Sequence, residues 1–340
     1  MLAGHTIRRN ALRIADGLVS AVMKLRLVAI TVVVALSLLA GVSIGSASST
    51  SGTPAQVAAA VKKSVTIHSI PADLTPSLSQ FANSNASYNL SGLSLLSHCN
   101  AYSNSALAAH PVACYFGDTK STKTIVFVGD SNVGNWIPAL ADGLVATKYR
   151  LAVFPYASCP TPDMIYTAAS GPVEWNECNI WHVSVLKAIR AVHPVAVIAV
   201  SGAIGIGLFD TTKWIAGFKK LFAQATLGSP STRRILIGTS PFFPGPIPNC
   251  LAAHSNPQSC DEKDKVGSPY GKYLTRDLQV ARAAKAKLFP VTPELCYGGW
   301  CSPIVGKYMV YVDIDHTSIA YSQFLSQVVT NAVVKLVKTP

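Results

Sequence analysis

The stretch Ile125-Val126-Phe127-Val128-Gly129-Asp130-Ser131 limits what this chain can fold into more than any other part of it. A β-branched and aromatic run stops abruptly at Gly-Asp-Ser. Trp136, Ile137, Leu140 and Leu144 then recur at helical spacing. This change of period marks a buried strand that turns directly into a helix. The alternation repeats along the chain. Apolar runs at 125–129, 151–154, 195–200, 234–238 and 308–312 read as strands. Helical patterns at 133–147, 176–192, 211–225, 271–287 and 318–337 lie between and after them. Strand and helix in alternation predict an α/β fold with a parallel sheet covered on both faces. In such sheets ligands sit at the carboxyl ends of the strands. Ser131 follows the first of these runs and Asp313 the last, so both are expected at that edge.

Gly-Asp-Ser by itself is also a common turn, with Asp and Ser capping a helix. The late segment Tyr311-Val312-Asp313-Ile314-Asp315-His316 adds chemistry to it. An Asp three residues before a His can hold the imidazole while the other ring nitrogen faces a serine. Ser131, Asp313 and His316 then form the parts of a nucleophile, an orienting carboxylate and a general base. Asp315 is read as a cap of the last helix, near Thr317 and Ser318.

Residues 27–44 carry no charge and follow Lys24 and Arg26, and Gly45-Ser46-Ala47 supplies small residues. This is the pattern of a secretory signal, or of an anchor that stays in the membrane. Residues 1–47 are therefore assigned to export. Residues 48–98 are assigned to a Ser/Thr/Pro/Ala-rich linker and polar lead-in, and 99–340 to the folded domain. The formal charge is +12, and +8 remains without residues 1–47, which hold five Lys/Arg and one Asp. No Lys/Arg block is dense enough to suggest nucleic acid. All eight cysteines lie in the exported part. Neighbours in sequence suggest bridges Cys99–Cys114, Cys159–Cys178, Cys250–Cys260 and Cys296–Cys301, although sequence alone leaves every other connectivity open. No Cys-x-x-Cys occurs, so zinc is not expected, nor any other cofactor. The Pro- and Gly-rich segment 240–269 reads as a substrate-facing lid or, equally, as a decorated surface loop. Trp300, between Gly299 and Cys301, is a candidate sugar platform.

Several of these segments resemble the SGNH/GDSL hydrolase superfamily. The resemblance is strongest to the SGNH domain that bacteria fuse to membrane acyltransferases of the acyltransferase-3 kind. It rests on Cys114-Tyr115-Phe116-Gly117-Asp118, on Val128 to Ser131 and on Trp136-Ile137-Pro138-Ala139-Leu140. It also rests on Cys159-Pro160, Cys178 to Trp181, the loop through Cys250 and Cys260, and Tyr311 to His316. The resemblance implies a three-layer α/β/α, flavodoxin-like fold and a triad of Ser131, Asp313 and His316. It also implies esterase or O-acyltransferase activity on acyl esters of envelope carbohydrate, through an acyl-serine. The chain departs from the family where oxyanion donors are expected. The third strand ends Val200-Ser201-Gly202-Ala203, without Gly-x-Asn-Asp, and Cys159-Pro160 stands where a glycine block would be. Asn132, Asn135 and Gly202 are the candidate substitutes.

A transferase of this kind needs an acyl donor delivered across the membrane. One apolar segment cannot do that, so a separate membrane acyltransferase is the partner such a reading requires. The N-terminal segment would contact the membrane if uncleaved. The rival reading is a catalytically weak carbohydrate-binding or structural envelope protein on the same scaffold.

Overall fold

The computed structural model describes residues 51–102, 104–166, 175–202, 210–263 and 269–339. The expected export segment, residues 1–47, lies outside them. Six strands form the central sheet: β1 (Cys114–Gly117), β2 (Thr124–Gly129), β3 (Arg150–Pro155), β4 (Ala196–Val200), β5 (Arg233–Ile237) and, after the two-residue β6 (Glu262–Lys263), β7 (Lys287–Phe289). Their order is β1-β3-β2-β4-β5-β7. All neighbours are parallel except β1, which pairs antiparallel with β3.

Side-chain alternation along each strand builds the two outer layers. Ile125, Phe127, Ile198 and Ile235 face one side and pack with the helices Ile137–Gly143 and Ser326–Lys338. Val126, Val128, Val197 and Leu236 face the other, against Trp175–Ala191, Thr211–Ala225 and Pro269–Ala284. β2 is buried on both faces along its whole length, as a central parallel strand must be. The result is the expected three-layer α/β/α arrangement, and the resemblance to the SGNH fold holds at this level. Gly129 ends β2 because a Cβ there would stand 2.5 Å from the carbonyl oxygen of Val200 on β4.

Three expectations need correction. The apolar run 308–312 is not a strand of the central sheet. Tyr308–Met309 pairs with Ile304–Val305 and bridges to Thr75, away from the central sheet, whose last strand is β7. Met309, Val310, Tyr311 and Val312 are nonetheless fully buried, so their apolarity reports packing and not strand pairing. Residues 51–98 are not a free linker. Pro54–Ser64 is a helix capped by Thr53 and Gln56, with Val57 and Val61 one turn apart in the core. Its Ala- and Lys-rich exposed face hid that stripe. The described part of 240–269 is seated, not loose. Phe243, Ile247 and Leu251 are buried, and the amides of Phe243 and Ile247 donate to the carbonyls of Ile314 and Asp313 at 2.8 and 3.1 Å.

All four expected disulfides are present: Cys99–Cys114, Cys159–Cys178, Cys250–Cys260 and Cys296–Cys301. No described cysteine is free. Among the described residues no helix is long and apolar enough to cross a membrane.

Candidate active site

β2 delivers Asp130 and Ser131 to the carboxyl edge of the sheet. Asp130 caps the short 3-10 turn Ser131–Asn135, and its Oδ1 accepts the Asn132 amide at 3.0 Å. Asp130 is almost wholly buried and reaches across to the end of β4. There its Oδ2 accepts from the Ser201 hydroxyl at 2.6 Å and the Gly202 amide at 2.7 Å. Burial pushes the Asp130 pKa up to about 6, against the pull of those hydrogen bonds. Thr161, from the loop after β3, accepts the Asp130 amide at 3.1 Å and donates to the Val200 carbonyl. The Asp130–Ser131 turn is thus bolted to the ends of both neighbouring strands.

The His316 loop is stitched to the same turn. Asn132 Nδ2 donates to Asp315 Oδ2 at 3.2 Å, and Asn135 Nδ2 donates to the Asp315 carbonyl at 3.0 Å. Asn135 Oδ1 accepts the Thr317 amide at 2.9 Å, and the Thr317 hydroxyl donates to the Asn135 carbonyl at 3.0 Å. These bonds bring together two segments more than 180 residues apart in sequence.

Within the loop, Asp313 does the orienting. Its Oδ2 lies 2.7 Å from His316 Nδ1, and its Oδ1 accepts the amides of Asp315 and His316 at 3.0 and 2.8 Å. Asp315 Oδ1 stands 3.3 Å from the same ring nitrogen, at ion-pair distance without hydrogen-bond geometry. His316 therefore faces two carboxylates. Burial alone would lower its pKa, but Asp315, Asp313 and Asp130 outweigh it and raise it from 6.5 to about 9. Burial also opposes ionisation of Asp313, yet its bond to and attraction by His316 hold it below the usual carboxylate range. Asp315 is pushed above that range, first by burial.

Sequence reasoning misassigned Asp315. It does not cap the helix Ile319–Phe324; Ser318 does that, its hydroxyl accepting the Tyr321 amide at 3.1 Å. Asp315 is instead the link between Asn132 and His316. Thr161 and Ser201 were also missed, since no local signal marks a hydroxyl whose partner is 31 or 71 residues away.

Ser131 and His316 sit on adjoining segments, but the hydrogen bond expected between them is not formed. His316 Nε2 is buried and has no hydrogen-bond partner. Catalytic hydrogen bonds are often open without substrate. The expected oxyanion donors are engaged, except for the second N–H of the Asn132 side chain, which makes one bond only. The Asn132 and Gly202 amides go to Asp130, and the side-chain amides of Asn132 and Asn135 serve the stitching just described. Gly202 is required by closeness: a Cβ there would collide with Asn132 Nδ2. The Ser131 amide opens its 3-10 turn and has no acceptor within it.

Trp300 belongs to a small sheet of Glu262–Lys263, Trp300–Cys301 and Cys296–Tyr297. With Val65, Gln258 and Asp261 it lines a separate pocket, to which Ser131, Asp313 and His316 contribute nothing. The Lys263 ammonium lies 5.3 Å from the centre of its ring. Asp313, Asp315 and His316 place ligand-type atoms close enough for a metal ion. His316 Nδ1 and Asp313 are already bonded to each other, however, and the other such clusters consist of a histidine beside disulfide-bonded cysteines.

Comparison with known proteins bears on the family and the fold. The family described as "SGNH domain (fused to AT3 domains)" matches residues 98–331. Among solved structures, the chain is similar to the periplasmic domain of a lipopolysaccharide acetyltransferase from Salmonella Paratyphi A. The identity is 16%, the TM-score 0.51, and the match covers 62% of this chain and 83% of that one. A GDSL-like lipase from Bacteroides thetaiotaomicron is also similar, at 13% identity and TM-score 0.40, over 68% of this chain and 95% of that one. No curated protein matches the chain in sequence.

Proposed function

This chain belongs to the SGNH domain family, and we propose that it is an exported serine esterase or O-acyltransferase acting on acyl esters of envelope carbohydrate. The observation that carries this reading is the imidazole of His316, held at 2.7 Å by Asp313 on a loop stitched to the Ser131 turn. In this reading His316 Nε2 takes the proton of Ser131 as its oxygen attacks the ester carbonyl. The protonated ring then gives that proton to the departing alcohol, leaving an acyl-serine. Water or a sugar hydroxyl collects the acyl group in the second half, with His316 again as base. Asp313 fixes the tautomer and stabilises the imidazolium. The Ser131 amide and the second N–H of the Asn132 side chain are the oxyanion donors this site leaves open. The four disulfides support an oxidising compartment, and fusion of such domains to AT3 domains supports a membrane acyltransferase as donor-side partner.

Hydrolysis of p-nitrophenyl acetate and of acetylated polysaccharide by the wild type, lost in Ser131→Ala with the fold intact, is the expected result. A second reading is favoured by the engaged oxyanion donors: a carbohydrate-binding protein with little turnover. Polysaccharide binding unaffected by Ser131→Ala, with no ester cleaved, would establish it in place of the first.

A further inference from the structure

The opposite, amino-terminal edge of the sheet carries a feature that the ester chemistry does not use. Three helices, Trp175–Ala191, Thr211–Ala225 and Pro269–Ala284, each feed a parallel strand, so their carboxyl ends converge there. Such ends expose carbonyl groups and attract cations. Three cations of this edge are spent in that way. Arg190 donates to the Gln224 carbonyl at 2.9 Å, Arg234 to Ala284 at 3.2 Å and Lys287 to Thr339 at 3.0 Å.

Lys123, Arg233 and Lys285 are left over. Their side chains make no hydrogen bond or ion pair with any described residue. They line two adjoining cavities. One, of about 430 Å³, is bounded by Lys123, His193, Ser229, Ser231 and Arg233 among others. The other, of about 390 Å³, is bounded by Arg233, Arg234, Lys285 and Lys287. Thr232 and Arg233 form the wall they share. No carboxylate lines either cavity. The nearest acid in sequence, Asp118, is turned to the Lys120 amide at 3.2 Å.

We propose that this edge is a second binding site, for a phosphate group carried on a sugar. A guanidinium fork shared by two cavities, flanking ammonium groups and two serine hydroxyls supply the donors that a phosphate dianion takes. The concave shape fits a discrete phosphorylated molecule and not a flat bilayer, and its sugar rests on the carbohydrate substrate proposed above. The site lies at the other end of the strands from Ser131, so it holds a substrate polymer or its phosphorylated part without entering the ester chemistry.

The test is a calorimetric and NMR titration of the exported chain with glucose 1-phosphate, with glucose as control. Saturable binding of the phosphate sugar alone is expected, weakened about tenfold or more in Lys123→Gln/Arg233→Gln. Arg190→Gln, outside both cavities, should bind as the wild type does. Ser131→Ala should also bind normally, so a failure of the esterase reading leaves this result standing. Absence of saturable binding in the millimolar range overturns the proposal. So does binding that survives the double change. Capture instead by vesicles containing phosphatidylglycerol, with no binding of the phosphate sugar, would overturn it in favour of a membrane contact.

Discussion

Replacing Asp315 by asparagine removes a negative charge 3.3 Å from His316 Nδ1 while keeping an oxygen that Asn132 can bond. Asp315 is the first-ranked of the groups that raise the His316 pKa from 6.5 to about 9. Unit charges at that separation interact by about 5 kcal/mol at an effective dielectric constant of about 20. Asp315 resists ionisation because it is buried, so only part of this acts on the ring. A fall of about one pKa unit, about 1.4 kcal/mol, is a conservative expectation. The sign follows from the base role. With a pKa of about 9, roughly one ring in a hundred is neutral at pH 7, and only neutral rings accept the serine proton. Asp315→Asn should therefore move the acid limb of kcat/KM down from about pH 9 by about one unit or more. The neutral fraction at pH 7 rises about tenfold, and kcat/KM at pH 7 rises with it by up to that factor. The assay is a pH–rate profile on p-nitrophenyl acetate, paired with an NMR titration of His316. Asp313→Asn should instead collapse activity at every pH, because it removes the bond that fixes the tautomer. An acid limb that stays in place in Asp315→Asn, with the ring titrating as in the wild type, would refute this account of the two carboxylates.

Asn135→Ala leaves buried partners on both segments of the site unsatisfied, and should cost about 1–3 kcal/mol in urea unfolding while abolishing turnover. Wild-type stability in that variant would contradict the stitching role. Cys250→Ser/Cys260→Ser opens a loop of about ten residues, for which chain entropy predicts a loss of about 2–3 kcal/mol. The helix Ile247–Ala253, which bonds the Asp313 carbonyl, should show faster amide exchange. Gly129→Ala forces a methyl against the Val200 carbonyl and should destabilise by about 1–3 kcal/mol, read as a lowered melting temperature.

Local pattern was enough for much of this protein. Period changes located β2 to β5 and the helices that follow them, because a parallel strand buried on both faces must be a short continuous apolar run. The helix at Thr211–Ala225 lies where its spacing placed it, and the four disulfides join sequence neighbours. Ser131, Asp313 and His316 could be proposed from sequence because each motif is contiguous, and the bond between Asp313 and His316 is local. What distant residues decide together was not. Met309 to Val312 look like a strand but are buried outside the sheet, since apolarity records burial and not hydrogen-bond partners. Asp315 looked like a helix cap, and only the fold sets it between Asn132 and His316. Asn132, Asn135 and Gly202 looked free to face a substrate. The tertiary structure engages them with Asp130, Asp315 and Ser240, because a buried donor must find an acceptor and most of these come from segments far away in sequence.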